Sequence, residues 1–166
     1  MMSESPEFSP AQRVFLMLSG LLFGGLTTIG FLVTPTLFNV LADKQVAGMI
    51  AGEIFKNASF FSLIIAGFLL IYANLLVKRG AYQYRIIRWL LFICIVLTLV
   101  GTFIVQPMMT EWRDTALNEG MPVMQSPYAP RFAMFHHISS AMFTIEVLLC
   151  FWVFWAASKT RLPIKN

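Results

Sequence analysis

Charged residues divide this chain into long apolar runs. Four runs lie between Arg13 and Asp43, Lys56 and Lys78, Arg88 and Glu111, and Arg131 and Lys159, and only Glu146 interrupts the last. Each reaches about 20 residues or more, the length that crosses roughly 30 Å of hydrocarbon at about 1.5 Å per residue. Backbone groups in lipid must pair within their own segment, so the runs predict helices rather than strands. The pattern predicts an all-α integral membrane four-helix bundle, one domain over residues 1–166, with spans at about 13–35, 57–78, 85–107 and 131–158. The first span is too long for a signal-peptide core. Thr34-Pro35-Thr36 ends it by helix-breaking chemistry rather than at a small-residue cleavage site, so it reads as a retained helix.

The segments between spans carry their own signals. Asp43 is placed to N-cap a helix reaching Lys56, with Val46, Ile50 and Ile54 at four-residue spacing. This predicts an extra interfacial helix between spans one and two, before the chain enters the membrane near Ser59. The third loop, with Gly120, Pro122, Pro127 and Pro130, should be irregular beyond a short helix around Trp112 to Leu117. Met1 to Pro10 reads as a short flexible tail. No internal repeat stands out.

Composition agrees with this reading: 58% of residues are hydrophobic and 12% charged, against about 25% charged in soluble domains. The net charge of +4 lacks the dense basic patches of nucleic-acid binders, so the expected partner is the lipid bilayer and not nucleic acid. Its distribution gives orientation. Arg13, Lys78, Arg79, Arg85, Arg88, Lys159, Arg161 and Lys165 fall on one side, which the positive-inside rule makes cytoplasmic, with both termini. The expected location is the inner (plasma) membrane of a bacterium. Gly20 and Gly24 form a small-residue step suited to helix packing, and Gly48 and Gly52 repeat it.

Several stretches together resemble the transmembrane protein 205-like family, also catalogued as domain of unknown function 4149. They are Pro35-Thr36-Leu37-Phe38, Ala47-Gly48, Gly52-Glu53-Ile54-Phe55, Gln106-Pro107-Met108-Met109, and Arg131-Phe132 with His136 and Ser139. The resemblance implies a four-helix membrane protein without an established activity, in which Pro35, Phe38, Gly48, Gly52, Phe55, Pro107, Arg131 and Phe132 read as structural. His137 departs from the family pattern, where a small residue is expected, so no metal role for the histidine pair follows from it.

Span four holds the candidate chemistry. At about 100° per residue, Phe132, His136, Ser139, Phe143, Glu146 and Cys150 share one stripe, while Met134, Ile138, Ala141, Met142, Ile145, Leu148, Leu149 and Trp152 form an apolar arc expected to face lipid. A carboxylate at mid-depth costs several kcal/mol unless neutralised, paired or hydrated. Glu146 therefore has either a functional role, on a polar track with Ser139 and with His136 about 15 Å away by helical rise, or a hydrogen-bonding partner such as Thr27, Thr28 or Ser62. His136 and His137, with Met108 and Met109 on the same side of the membrane, offer ligands that suit copper. Adjacent histidines project about 100° apart, which disfavours bis-histidine haem in one monomer. Cys94 and Cys150 read as buried apolar thiols.

No nucleophile elbow, phosphate-binding loop, zinc-protease or dinucleotide signature is present. The sequence thus points to a small transport or metal-handling protein with a polar track on span four. The alternative is a structural or accessory subunit, as a homo-oligomer or in a larger complex, whose polar residues join helices.

Overall fold

The computed structural model describes residues 10–159; the expected tail before Pro10 and the last two basic residues, Arg161 and Lys165, lie outside them. Four helices carry the fold: α1 (Pro10–Val40), α2 (Lys44–Lys78), α3 (Tyr84–Asn118) and α4 (Ala129–Lys159), each long and apolar enough to cross a membrane. No strand occurs among the described residues. Each helix packs on its sequence neighbours and α4 returns to α1, which closes the ring. The α2–α3 turn and both described chain ends lie at one end, here the terminal end. The α1–α2 and α3–α4 connections form the distal end.

Glycines terminate two helices by the same device. Gly80 (φ 91) and Gly120 (φ 78) adopt the left-handed conformation that costs a residue without Cβ little. At Gly80, Gly80 N–H donates to the Val77 carbonyl and Ala81 N–H to Leu76; at Gly120, Gly120 N–H donates to Leu117 and Met121 N–H to Ala116. Both are Schellman closures that satisfy the last helical carbonyls. At the start of α2, Asp43 accepts from Gln45 N–H (2.8 Å) and Val46 N–H (3.2 Å), the N-cap its position predicts.

The stretch expected to form a separate interfacial helix is instead the first third of α2, continuous from Lys44 to Lys78. The reason is local: no Gly or Pro breaks the chain near Ser59, whose hydroxyl donates to the Phe55 carbonyl within the helix. Likewise, the short helix around Trp112 to Leu117 is the end of α3. At about 1.5 Å per residue these 35-residue helices run about 50 Å, well beyond a roughly 30 Å hydrocarbon core. The excess stands at the distal end, where Glu53 and Lys56 pair at 3.8 Å and Arg113 donates to Asp114. The α3–α4 connection docks there through Val123 N–H, which donates to Gln45 Oε1.

Two π turns, Ile29–Val33 in α1 and Gly101–Val105 in α3, each precede a proline by one residue. The surrounding sequences correspond: Phe31-Leu32-Val33-Thr34-Pro35 and Phe103-Ile104-Val105-Gln106-Pro107. A proline inside an α-helix lacks its N–H and presses on the carbonyl four residues back. Widening the preceding turn relieves that pressure while Thr34 N–H still donates to Ile29 and Gln106 N–H to Gly101. The Thr34 hydroxyl adds a bond to the same Ile29 carbonyl.

Most of the buried apolar core sits toward the terminal end, built from Phe15, Leu22, Leu69, Ala73, Tyr84, Ile87, Leu91 and Val153 with their neighbours. Toward the distal end, Phe143 of α4 fills the bundle, edge-on to Phe55 of α2 with ring centres 5.0 Å apart. It also lies directly against Gly30, where a Cβ would overlap the ring. Close helix approach thus occurs at Gly30. Of the expected packing pair, Gly20 meets Phe154 at ordinary contact distance and Gly24 has open space around it.

Gly30→Ala should therefore cost about 1–3 kcal/mol of stability by overpacking, and Phe143→Leu should restore much of it. Gly24→Ala should leave the unfolding midpoint unchanged or raise it. Thermal unfolding in detergent checks both, and a Gly30→Ala protein as stable as the parent would refute the contact.

Candidate functional site

The α3–α4 seam is where polar chemistry enters the bundle. Ile87, Leu91, Cys94 and Thr98 of α3, and Glu146, Cys150, Val153 and Ala157 of α4, are all buried. The alternating three- and four-residue spacing is that of an antiparallel helix seam. In its terminal half the seam is aliphatic. At mid-span it turns polar: Cys94 and Cys150 place their sulfurs 3.9 Å apart, and one turn further Thr98 meets Glu146.

Glu146 lies about midway between Arg131 and Lys159 and is 8% exposed. Thr98 Oγ1 is 2.6 Å from Glu146 Oε1 and 2.9 Å from the Cys94 carbonyl oxygen. A threonine hydroxyl has one proton, so it donates to one of these acceptors at a time. When it back-bonds to Cys94, the 2.6 Å contact requires a proton from the Glu146 carboxyl. When it donates to Glu146, the carboxylate is stabilised by that bond. Among the described residues, the first basic side chain met along α3 from Thr98 toward the terminal end is Arg88, about 15 Å away by helical rise. Arg88 is itself engaged with Asn74 at 3.5 Å and lies over Trp89.

One turn beyond Thr98, the Thr102 hydroxyl is buried without a hydrogen-bond partner among the described residues. Thr102 stands in the α3 π turn. Cys94, Thr98 and Thr102 are thus spaced four apart along one face of α3, opposite Cys150 and Glu146. Sequence reasoning placed the partner of Glu146 elsewhere. Ser62 sits on α2, diagonal to α4 in the ring. The Thr27 hydroxyl is committed to the Phe23 carbonyl at 2.7 Å. The missed signal is the four-residue recurrence of Cys94, Thr98 and Thr102 in an otherwise apolar span.

The stripe on α4 divides along its length. Glu146 and Cys150 are buried, Phe132, Ser139 and Phe143 are half-buried, and His136 is exposed. The expected lipid-facing arc is largely exposed, with Met134, Ile138, Ile145, Leu148 and Trp152 outermost. The outward turn at His136 has a physical cause. At this level Phe135, the preceding residue of α4, packs edge-on against Trp112 of α3, ring centres 5.0 Å apart, so Phe135 and not His136 meets α3 there. His136 and His137 point out with ring centres 6.2 Å apart, and Met108 and Met109 are half-buried on α3. Among the described residues no three His, Cys, Asp or Glu side chains are grouped to hold a metal ion. Cys94 and Cys150 are free thiols, each 1% exposed.

No curated protein and no solved structure matches the chain. A family model does: that of a domain of unknown function, DUF4149, over residues 17–117. The matched stretch contains both π turns with their prolines, the α2 segment with Gly48, Gly52 and Phe55, and the Cys94, Thr98 and Thr102 face of α3. It stops before α4. With well over half of its length matched, and with four apolar helices that make it an integral membrane protein, the chain belongs to the DUF4149 family.

Proposed function

We propose that this protein is a structural or accessory subunit of the membrane, one domain crossing four times, whose intramembrane polar residues join its own helices. The observation that carries this reading is the buried 2.6 Å contact between Thr98 and Glu146. A carboxyl at this depth is costly unless neutral or paired, and here its partner is the neighbouring helix. A homo-oligomer or a larger membrane complex is the setting in which such a bundle acts. The exposed apolar and imidazole surface of α4 is available to neighbours.

The proposed orientation places both termini in the cytoplasm. Six described cations, Arg13, Lys78, Arg79, Arg85, Arg88 and Lys159, stand at the terminal end, and no described acidic residue does. Trp155 lies under Lys159 at 4.4 Å, an arrangement suited to the interface. A second reading, a small transport protein working through Glu146, is favoured by the buried Thr102 hydroxyl, one turn along α3 from Thr98 and without a partner among the described residues.

Three measurements test these readings. In a double-mutant cycle on detergent-solubilised protein, Thr98→Val and Glu146→Leu should each lower the unfolding midpoint. The two should be coupled by about 0.5–2 kcal/mol; strictly additive effects would remove the clamp. For orientation, a fluorescent protein fused to the C-terminus should fluoresce and a fused alkaline phosphatase should be inactive. The reverse pattern would invert the topology. Transport, if it is the role, predicts that Glu146→Gln abolishes ion-driven uptake in proteoliposomes without loss of folding.

A further inference from the structure

Toward the terminal end a groove opens between α1 and α2, lined by Ala11, Val14 and Phe15 of α1 and by Phe68 and Tyr72 of α2. Its volume of about 160 Å³ is several times the roughly 30 Å³ that a water molecule takes up in the liquid. Phe15 forms the floor, buried against the Tyr72 ring at 6.1 Å and the Tyr84 ring at 5.4 Å. Val14 and Phe68 are both exposed, so the groove opens outward, toward lipid. Its side chains are apolar apart from the Tyr72 hydroxyl and give water little to bond to. An acyl chain can fill it through dispersion contacts instead.

The register of α2 sets a cation above this groove. Phe68, Tyr72 and Arg79 follow one another at spacings of four and seven residues, which places them within roughly 40° of one another around the helix. The helical path still holds at Arg79, whose N–H donates to the Leu75 carbonyl. By helical rise Arg79 stands about 10 Å from Tyr72 and about 16 Å from Phe68, on the terminal side. One leaflet supplies about 15 Å of hydrocarbon, so the groove lies at acyl-chain depth when the guanidinium lies among the headgroups. Arg79 is exposed, and its guanidinium has no partner among the described residues.

Charge selects the headgroup. Six described cations and no described acidic residue stand at this end, so a zwitterionic headgroup, which brings an ammonium of its own, is the poorer match. An anionic phosphodiester offers the guanidinium two oxygens and adds no positive charge. Basic groups at a membrane surface attract such lipids.

We propose that the α1–α2 groove binds one anionic phospholipid, with an acyl chain against Phe15, Phe68 and Tyr72 and the phosphate held by Arg79. The site depends neither on the Thr98–Glu146 contact nor on which side of the membrane the terminal end faces, so its failure would leave both of those measurements standing.

The test uses full-length protein in neutral detergent, with retained lipid counted by native mass spectrometry. Phosphatidylglycerol should saturate at one molecule per chain and bind at least about fivefold more tightly than phosphatidylcholine of the same chain length. Arg79→Gln should remove that preference, whereas Arg85→Gln, a cation of the same end carried by α3, should keep it. Ala11→Phe, which fills the groove from an exposed position, should weaken both lipids. Thermal unfolding shows that each variant is folded and gives a second readout: phosphatidylglycerol should raise the midpoint of the wild type by about 3 °C or more and leave that of Arg79→Gln unmoved. Equal binding of the two lipids by the wild type, equal losses in Arg79→Gln and Arg85→Gln, or full binding by Ala11→Phe would overturn the proposal. So would inorganic phosphate that raises the midpoint as far as the lipid does, since the site would then hold a free anion and no chain.

Discussion

In hydrocarbon, a backbone group without a partner in its own segment has no water to turn to, and two prolines bring that constraint to bear on this bundle. Pro35 and Pro107 each follow a turn widened to π spacing. The widening keeps Thr34 and Gln106 paired one residue further back and spares the helices a clash. Much of the distal half follows from it. In α1 the π turn contains Gly30, and the exposed backbone there receives the Phe143 ring. Beyond the π turn of α3, Trp112 meets Phe135 of α4 and His136 is left outside. The widened turn of α1 thus marks where an aromatic fills the bundle.

The seam below the π turn shows how a polar pair survives in an apolar interface. Ile87, Leu91, Val153 and Ala157 are buried on the terminal side, so Glu146 and Thr98 are held in register by packing. Their mutual bond then has little side-chain entropy left to lose. Interhelical hydrogen bonds in membranes average well under 2 kcal/mol, less than the cost of burying a bare carboxylate. The bond alone therefore does not explain the residue; a neutral carboxyl, free of the charge that lipid penalises, supplies the remainder.

Much of the fold was legible because lipid leaves few solutions. Charge-free runs located all four helices, Asp43 announced its cap, and the apolar arc of α4 faces outward where periodicity placed it. What escaped reading depends on contacts between helices. The extension of α2 through Lys44–Lys56 could not be told from an interfacial helix, since both bury one stripe of the same residues. The Gly20 and Gly24 step carries the usual small-residue spacing, yet the tight approach is at Gly30, because the position of Phe143 decides it. Glu146 stood out by cost alone, whereas Thr98 did not: threonine is tolerated in any apolar span, the ring order of the helices selects it over Ser62, and Thr27, on the adjacent α1, bonds to its own Phe23 carbonyl.

The family match sharpens one asymmetry in the site. Residues 17–117 include Cys94, Thr98, Thr102 and both prolines but exclude Glu146. On the α3 side, Thr98 can satisfy its hydroxyl on the Cys94 carbonyl without any partner from α4. On the α4 side, Glu146 has no comparable recourse within its helix, since a carboxyl group has two oxygens to satisfy and backbone donors there are already in helical bonds. The dependence therefore runs one way: α3 can stand as a helix without Glu146, whereas Glu146 at this depth relies on α3. Thr102 is the exception on α3. Its hydroxyl has no hydrogen-bond partner among the described residues, whereas Thr98 back-bonds to the Cys94 carbonyl. A buried hydroxyl without a partner on α3 thus stands one turn from the contact on which Glu146 relies.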